Sequence, residues 1–396
     1  MNPINTLGSA FWKNEFQLRS DIHFLNFGSF GACPKVIFDD YQNWQRVLES
    51  EPVQFIAFEG PKLLAQSRAA LSQFVGCAAD DLVYVTNPTY AVNIVAKSLN
   101  LEAGDEILTT DLEYGACDKT WEFYCAKQGS QYVRHKITLP LIHADLFIEE
   151  FLKGITQKTK LVFISHITST TGLRLPLEQL IPRIKALGLP VFVDGAHAPG
   201  HIPLDLQSLG ADYYTGACHK WMMTAKGSSF LYVRQELQGT LEPLLVSWGY
   251  KSVQPSHSLF LDYHQMQGTR DFSAFLTIPK AITYMQQHDW EHVKSACRAV
   301  VQTTGPQLLE ALGSQALAPI GDAFYGQMFS CPIATAHPEN LQRILFDEFR
   351  IEIPVMPHGS ATYLRFSVQA FNHPDEFQHL LSAIDQLQSR GLIKGV

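Results

Sequence analysis

Short apolar runs alternate with amphipathic segments over residues 62–235. The apolar runs predict strands at 82–86, 106–109, 161–165, 191–193, 212–215 and 230–233. The segments between them have helical spacing and predict helices at 61–75, 90–99, 118–127 and 177–187. Strands this short and apolar are typical of a mostly parallel sheet buried under helices on both faces. We therefore expect an α/β domain whose ligands bind at the carboxyl ends of its strands.

The pattern changes after about residue 250. Long helical stretches are predicted at 278–287, 290–312, 338–349 and 374–389, with strands at 324–331 and 363–368. This order indicates a smaller α+β domain. We expect residues 22–255 to form a large domain, and residues 1–21 together with residues 256–396 to form the small one.

Composition narrows the class of protein. The 396 residues are 46% hydrophobic, with a formal net charge of −8 and no block of like charges, which argues against nucleic acid and membrane surfaces as partners. Seven scattered cysteines without a C-x-x-C pair favour a reducing compartment. No signal sequence or long apolar run is evident, so we expect a soluble cytoplasmic protein. No metal site is predicted, because Pro199 and Gly200 break any helix that would align His197 with His201.

A His-Lys pair follows a carboxylate at a strand end. Asp194 closes the predicted strand 191–193, and His219 and Lys220 come later in the chain. A lysine forms a Schiff base with an aldehyde, and a carboxylate holds the ring nitrogen of pyridoxal 5′-phosphate (PLP) protonated. Taken singly, Lys220 fits a surface lysine and Asp194 fits a turn former. Their order and context favour PLP chemistry.

Two other predicted strands are followed by groups that suit such a cofactor. Asn87 is a suitable N-cap for the helix after strand 82–86, which would leave the N–H groups of Thr89 and Tyr90 free for an anion. Tyr114 follows strand 106–109, where its ring can lie flat on a planar cofactor. The alternatives are an ordinary capped helix and a packed tyrosine.

Polar residues accompany two further strands. Ser169 or Thr168, beyond strand 161–165, can hydrogen-bond a phenolic oxygen, although a polar loop is the simpler interpretation. Arg365 interrupts the apolar strand 363–368. A buried guanidinium needs a partner, which can be a substrate carboxylate held by two hydrogen bonds or a structural salt bridge.

These motifs, in this order, resemble the fold-type I PLP enzymes, specifically the isopenicillin N epimerase-like branch of the class V aminotransferase superfamily. The matching segments are 24–31, 194–197, 219–221 and 268–271, and the resemblance spans residues 22–385. It implies the PLP-dependent transferase fold of type I, with a mostly parallel seven-stranded sheet in the large domain. It also implies PLP as the cofactor, a small amino-acid substrate and a homodimer with shared active sites.

The resemblance assigns a role to each candidate residue. Lys220 would hold the cofactor and move the Cα proton, Asp194 would pair with the ring nitrogen, and Tyr114 would stack on the ring. Arg365 would hold the substrate carboxylate, with Asn26 nearby. The remaining implied cofactor contacts are His197 and Ser169 at the phenolic oxygen, Thr89, Tyr90 and His219 at the phosphate, and Thr269 at the phosphate of the neighbouring subunit.

The chain departs from the superfamily pattern at two places. Ala217 stands where a Ser, Thr or Asn often binds the phosphate. Loop 351–361, which precedes Arg365, carries no cysteine, and this disfavours desulfuration through an enzyme persulfide. Cys331 lies in a strand-like run and Cys218 is expected to be a packed thiol.

The shared residues leave the reaction open. Once the Cα proton is removed, reprotonation on the opposite face gives epimerisation, loss of a β-thiolate or β-sulfenate gives C–S lysis, and protonation at C4′ gives transamination. We expect an isopenicillin N epimerase-like enzyme acting at Cα of an amino acid or conjugate, with Tyr114 as a candidate second acid. The alternative is a C–S lyase that cleaves a cysteine conjugate or its sulfoxide by β-elimination.

Two hypotheses lie outside this class of enzyme. A non-catalytic binding module with the same fold is opposed by the intact Lys220 and Asp194. A nucleotide-binding α/β protein is opposed by the absence of G-x-G-x-x-G and G-x-x-x-x-G-K-[ST] from the sequence.

Overall fold

The structure is a computed structural model and describes residues 6–396. Residues 1–5, which the sequence assigns to the small domain, lie outside that range. In the described part the helices are α1 (Ala10–Glu15), α2 (Phe27–Phe30), α3 (Lys35–Ser50), α4 (Gly60–Val75), α5 (Pro88–Ser98), α6 (Gly115–Gln128), α7 (Ala144–Leu152), α8 (Leu177–Ala186), α9 (Leu206–Leu209), α10 (Leu259–Gln265), α11 (Ser273–Leu276), α12 (Ile278–Gln287), α13 (Trp290–Leu312), α14 (Pro338–Asp347) and α15 (Pro374–Ser389). The strands are β1 (His23–Phe24), β2 (Leu82–Val85), β3 (Glu106–Thr110), β4 (Gln131–His135), β5 (Thr159–Ser165), β6 (Val191–Asp194), β7 (Tyr213–Ala217), β8 (Ser229–Val233), β9 (Met328–Ala334), β10 (Ile351–Glu352), β11 (Val355–His358), β12 (Ala361–Ser367) and β13 (Lys394–Gly395).

The large sheet has the strand order β2-β8-β7-β6-β5-β3-β4. β8 runs antiparallel to both its neighbours, and the other pairings are parallel. The register places Ser165 of β5 beside Asp194 of β6, and Asp194 beside Thr215 of β7. The expected mostly parallel seven-stranded sheet is therefore confirmed, and its carboxyl edge brings these polar side chains together.

Alternate residues of the strands face two separate apolar cores, because successive strand side chains point to opposite faces of a sheet. On β5, Leu161 and Phe163 belong to the core that α5 and α6 close, whereas Val162 and Ile164 belong to the core that α4, α7 and α8 close. Helices thus cover both faces of the large sheet, as the continuous apolar runs predict.

The second sheet is antiparallel, in the order β11-β12-β9-β13. α13 packs on β9 and against α15, and α14 packs on β11. This unit is the predicted smaller α+β region. Arg365 lies in the middle of β12, opposite Ser330 of β9.

The chain enters the fold on the side of the small sheet. β1 pairs in parallel with β10, and His23 lies opposite Ile351. α10, by contrast, packs on β2 of the large sheet. The domain boundary near residue 255 stays a prediction. Within residues 6–396, no helix is both long enough and apolar enough to cross a membrane.

Candidate active site

Asp194, His197 and Lys220 meet at the carboxyl edge of the large sheet. Asp194 ends β6, His197 lies in the turn after it, and Lys220 lies in the turn after β7. The Nζ atom of Lys220 is 3.1 Å from Nε2 of His197. The sequence therefore predicted the convergence correctly, since two parallel strands side by side end at the same edge.

A cavity of about 420 Å³ opens at this edge, within the usual range for a small-ligand site. Seven of the predicted site residues line it: Thr89, Tyr114, Ser169, Asp194, His197, His219 and Lys220. Seven further lining residues had not been singled out for a role at the site: Ser29, Phe30, Asn87, Pro88, Ser165, Ile167 and Ala196. Ser165 was recognisable as a strand-end hydroxyl, but Phe30 carried no distinctive signal.

Asp194 is a buried carboxylate with few partners. Its Oδ1 accepts the N–H of Ala196 at 2.9 Å, and its Oδ2 accepts the thiol of Cys117 at 3.5 Å. Burial raises the pKa of Asp194, while the Ala196 N–H, the charge of Lys220 and the Cys117 thiol act in the opposite direction. A carboxylate has about four acceptor positions, so Asp194 keeps acceptor capacity for a cationic N–H in the cavity.

Lys220 is poised to act as an amine. Burial lowers the pKa of Lys220 to about 8, the charge of Arg365 acts in the same direction, and Asp194 and Cys117 oppose them. Because this pKa lies below the ordinary value for lysine, more of the side chain is in the free-base form that nucleophilic attack and proton transfer need.

The N-terminus of α5 forms one wall of the cavity. The side chain of Asn87 caps the helix and accepts the N–H of Tyr90 at 2.9 Å. The expectation of a free N–H at Tyr90 is therefore wrong, because the cap that was predicted uses it. Thr89 lines the cavity, so this helix end stays suited to an anion.

His219 and Tyr114 line the cavity from different elements. Nδ1 of His219 donates to the Ser228 carbonyl at 2.8 Å, and burial lowers the pKa of His219 to about 4, so the ring is neutral. Tyr114 immediately precedes α6 and is half-exposed. Burial raises the pKa of Tyr114, so its phenol stays protonated. Thr269 is exposed and does not line its own cavity.

Arg365 is buried behind the cavity without an acidic partner among the described residues. Its Nη1 donates to the Ser169 carbonyl and its Nη2 donates to the Ser29 hydroxyl at 3.1 Å. Burial lowers the pKa of Arg365 to about 10. The structural salt bridge that the sequence left open is absent from residues 6–396. Arg365 does not itself line the cavity, but both of its partners do.

Asn26 supports Arg365 indirectly. Its Nδ2 donates to Glu352 Oε1 at 3.0 Å, and its Oδ1 accepts the Ser29 hydroxyl at 2.5 Å. Asn26 is not a lining residue, but Ser29 connects it to Arg365, and its contact with a substrate stays a prediction. Its partner Glu352 lies 326 residues away in the chain, which no local pattern indicates.

Glu113 is a buried acid that the sequence analysis missed. Its Oε1 accepts the Thr110 hydroxyl at 2.7 Å and the Ser165 N–H at 3.2 Å, and its Oε2 contacts the Ser165 hydroxyl. Burial raises the pKa of Glu113 to about 8, with a smaller contribution from Asp194 in the same direction. These contacts attach the turn that carries Tyr114 to the end of β5.

The approach of α2 to the lysine turn requires a glycine. Gly31 has a φ of +65°, and a Cβ atom at this position would lie 2.9 Å from the Lys220 carbonyl. The backbone conformation and the contact both exclude other residues. The glycine motif in segment 24–31 thereby lets Ser29 and Phe30 reach the cavity wall.

The cavity residues fit PLP. A lysine amine of lowered pKa, a buried carboxylate with free acceptor capacity, a tyrosine at the rim and a helix N-terminus surround one space. The set supplies a group for the aldehyde, a partner for the ring nitrogen, a stacking surface and an anion site. No cysteine lines the cavity among the described residues, and burial raises the pKa of both Cys218 and Cys331 to about 12.

Comparison with known proteins agrees with this chemistry. The sequence model of the aminotransferase class-V family matches residues 39–380. An isopenicillin N epimerase of Amycolatopsis lactamdurans is 33% identical, over 92% of this chain and 94% of that protein. A probable chloroplastic L-cysteine desulfhydrase of Arabidopsis thaliana is 28% identical, over 98% of this chain and 87% of that protein. A solved structure of a C-DES variant, with glycine covalently linked to the PLP cofactor, has a TM-score of 0.81 at 23% identity, over 94% of this chain and 98% of that one.

Proposed function

The chain belongs to the class-V aminotransferase family, and on that premise we propose that it removes the Cα proton of an amino acid or amino-acid conjugate as an epimerase of the isopenicillin N epimerase type. It is a PLP-dependent enzyme. The observation that carries the proposal is that Lys220 and Asp194 face one cavity and neither forms a salt bridge within residues 6–396. Both charges are thus available to a ligand.

When bound, PLP supplies an aldehyde that links the substrate amine and a ring that takes up the electron pair left at Cα. Lys220 would hold the aldehyde in the absence of substrate, and its Nζ atom would accept the Cα proton of a bound substrate. Its pKa of about 8 suits both tasks near neutral pH. Asp194 would accept a hydrogen bond from the protonated ring nitrogen, and this role fits its uncommitted acceptor positions.

The other lining residues orient the bound molecules. We assign His197 and Ser169 to the phenolic oxygen of the cofactor, and Thr89 and His219 to its phosphate, because these residues border the same cavity. The substrate carboxylate goes to Arg365 through displacement of its contacts with Ser29 and Ser169. An unpaired buried guanidinium gains the most from such a partner.

Epimerisation needs an acid on the face of Cα opposite to Lys220. Tyr114 is our candidate, because its phenol lines the cavity and its raised pKa keeps it protonated. The second candidate function is C–S lysis by β-elimination, and the desulfhydrase relative, which aligns with 98% of this chain, favours it. Since no cysteine lines the cavity in the described residues, the sulfur would leave as a small molecule and not as an enzyme persulfide.

The test is to incubate the PLP-loaded enzyme in D₂O with amino acids, L-cysteine conjugates and conjugate sulfoxides. Deuterium at Cα with racemisation and no keto acid supports the epimerase. Release of pyruvate together with a thiol or sulfenate replaces it with the C–S lyase. Absence of both deuterium exchange and product with every substrate contradicts the proposal.

Two lysine variants make this test specific. Lys220→Ala should lower Cα exchange by about 10²- to 10⁴-fold, the usual contribution of a general base. Lys158→Ala is the matched control, because Lys158 is exposed and lies before β5, outside the cavity. Equal exchange in the two variants would assign the base to another residue.

We further propose a homodimer in which Thr269 reaches the neighbouring subunit's cofactor phosphate, and a cytoplasmic location. Thr269 is exposed and lies outside its own cavity, and the segment before it exposes apolar side chains, including Val246 (68% exposed), Trp248 (77%) and Val253 (91%). All seven cysteines are free, which suits a reducing compartment. Light scattering on the purified enzyme tests the dimer, and a monomer at working concentration contradicts it.

A further inference from the structure

Trp221 follows Lys220 directly and is buried beneath it. Its indole Nε1 donates to Nδ1 of His197 at 3.3 Å, while Nε2 of the same ring lies 3.1 Å from Nζ of Lys220. We infer that Trp221 is a positioning residue which fixes the tautomer of His197, so that the Nε2 atom facing Lys220 always carries the proton. The inference deepens the proposed function and rests on it for the role of Lys220.

The tautomer follows from hydrogen-bonding capacity. An indole N–H is a donor only, so Nδ1 of His197 must accept. A neutral imidazole has one donor and one acceptor, and the proton is therefore on Nε2. The ring is neutral because burial lowers the pKa of His197 well below its ordinary value, and the positive charges of Lys220 and Arg365 and the nearby His201 act in the same direction.

A second histidine holds the indole in place. The ring of His201 stacks on Trp221 with centroids 4.0 Å apart and planes inclined by 23°. Nδ1 of His201 donates to the His197 carbonyl at 2.9 Å, and its Nε2 accepts the Gln327 N–H at 2.6 Å. Both nitrogens of His201 are thus committed, and the ring cannot turn without breaking a buried hydrogen bond. Phe27 packs on Trp221 as well, with centroids 5.0 Å apart.

The tautomer has a consequence for Lys220. An Nε2–H directed at Nζ meets a lone pair when the lysine is neutral, but meets another N–H when it is an ammonium group. Trp221 therefore disfavours the protonated lysine through His197. The other groups that act on Lys220 are Arg365, which also disfavours the ammonium form, and Asp194 and Cys117, which favour it. The same fixed donor is available to the phenolic oxygen when PLP occupies the cavity.

The first measurement concerns the wild-type full chain alone. Nitrogen-15 NMR of histidine-labelled protein near pH 7.5 distinguishes an Nε2–H ring from an Nδ1–H ring, and the His197 signals are identified by their loss in His197→Asn. The expected result is a neutral ring with the proton on Nε2. An Nδ1–H ring or an imidazolium overturns the inference, whatever the enzyme catalyses.

The second measurement uses Trp221→Phe, which keeps an aromatic ring and removes the N–H. The rate at which added PLP forms its visible chromophore with the apoprotein is followed against pH, since only the neutral lysine reacts. The inflection should rise by about one pH unit in Trp221→Phe, the usual effect of one hydrogen bond on a titration. A merely structural role of Trp221 would lower stability or cofactor affinity and leave the inflection unchanged, which overturns the inference.

Trp290→Phe is the matched control. Trp290 is also buried, and within the described chain its Nε1 has no hydrogen-bond partner, so this change removes the same atoms without removing a hydrogen bond. Since Trp290 differs from Trp221 in making no indole hydrogen bond, Trp290→Phe should leave the inflection at its wild-type pH, and an equal shift in both variants overturns the inference. Absence of a chromophore in the wild type contradicts the proposed function instead, and the NMR result then decides the tautomer by itself. If Trp221→Phe does not fold, the NMR measurement on the wild type again decides the tautomer.

Discussion

A buried aspartate lies at each end of β6, and the two carboxylates are compensated in different ways. Asp212 immediately precedes the neighbouring strand β7 and lies beside the start of β6. It is 3% exposed and accepts Lys185 Nζ at 2.5 Å, Arg234 Nη1 at 3.3 Å and the Val191 N–H at 2.8 Å. At the end of the strand, Asp194 is 4% exposed and accepts one backbone N–H and one thiol. Burial is equal, so only the partners distinguish the two residues.

The difference separates a structural charge from a functional one. A buried carboxylate costs free energy unless cations and N–H groups satisfy it. The chain itself satisfies Asp212. Asp194 has hydrogen-bond partners for only part of its acceptor capacity. Within the described residues, Arg365 and Lys220 near the same cavity likewise have no ion-pair partner. Charged side chains without compensating partners lie at the edge of the sheet that carries Asp194, whereas Asp212 at the other edge is compensated. This difference indicates that a charged ligand binds at the Asp194 edge.

Among the changes that test this comparison, Asp194→Asn has the largest expected effect. The amide keeps the size of the side chain and an acceptor for the Ala196 N–H, but it cannot hold a proton on the cofactor ring nitrogen. We expect the turnover number to fall by about 10²- to 10³-fold, as when one electrostatic contact to the reacting charge is removed. The melting temperature should stay the same or rise, because a buried charge is removed. Steady-state rates and thermal unfolding of the same preparation measure both.

Retained activity in Asp194→Asn would contradict the functional role of this end of β6. A large loss of stability would equally contradict it, because Asp194 would then be compensated as Asp212 is.

Asp212→Asn should show the opposite behaviour. Lys185 and Arg234 lose their shared carboxylate, and we expect the free energy of unfolding to fall by about 2 kcal/mol. This is less than for a fully buried pair, because Lys185 and Arg234 are 31% and 39% exposed and can turn to solvent. The turnover number at saturating PLP should not change. Calorimetric unfolding at pH 7 measures the loss, and unchanged stability would mean that the ion pairs contribute nothing.

The sequence predicted the parts of this fold that have strong local patterns. The apolar runs located β2, β3, β5, β6, β7 and β8, and the helices α12, α13 and α15 have the predicted bounds. β4 was missed because it is an edge strand with partly exposed side chains and no apolar run. β9 starts at Met328 and not at residue 324, because the N–H of Phe324 donates to the Gly321 carbonyl in a turn.

The same distinction between local pattern and long-range packing applies to the residues of the candidate site. Asp194, His197 and Lys220 were predictable because they follow adjacent parallel strands, and strand order places their ends together. The contact of Asn26 with Glu352 could not be predicted, because it depends on long-range packing. Glu113 was overlooked for a related reason, since an acid in a turn is ordinarily exposed and only the fold encloses it under β5.

The smallest expected effect belongs to Glu113→Gln and depends on pH. The folded-state pKa of about 8 lies above the ordinary value of 4.5, so the folded chain binds the extra proton and its stability falls as the pH rises between these values. The amide resembles the protonated acid, since one oxygen accepts from Thr110 and from the Ser165 N–H while the NH₂ group donates to the Ser165 hydroxyl. The variant keeps these contacts without a titrating proton, so the wild type should lose stability relative to it as the pH rises above 4.5.

Between pH 5.5 and 7.5 each pH unit should favour Glu113→Gln by about 1 kcal/mol, because the folded wild type keeps a proton that the unfolded chain releases. Thermal unfolding across this pH range measures the change, and Glu149→Gln, at an exposed position on α7, is the matched control. Parallel stability curves for Glu113→Gln and the wild type would show that Glu113 is ionised throughout. The carboxyl edge would then hold two negative charges, and Asp194 alone could not account for the incomplete compensation at this end of β6.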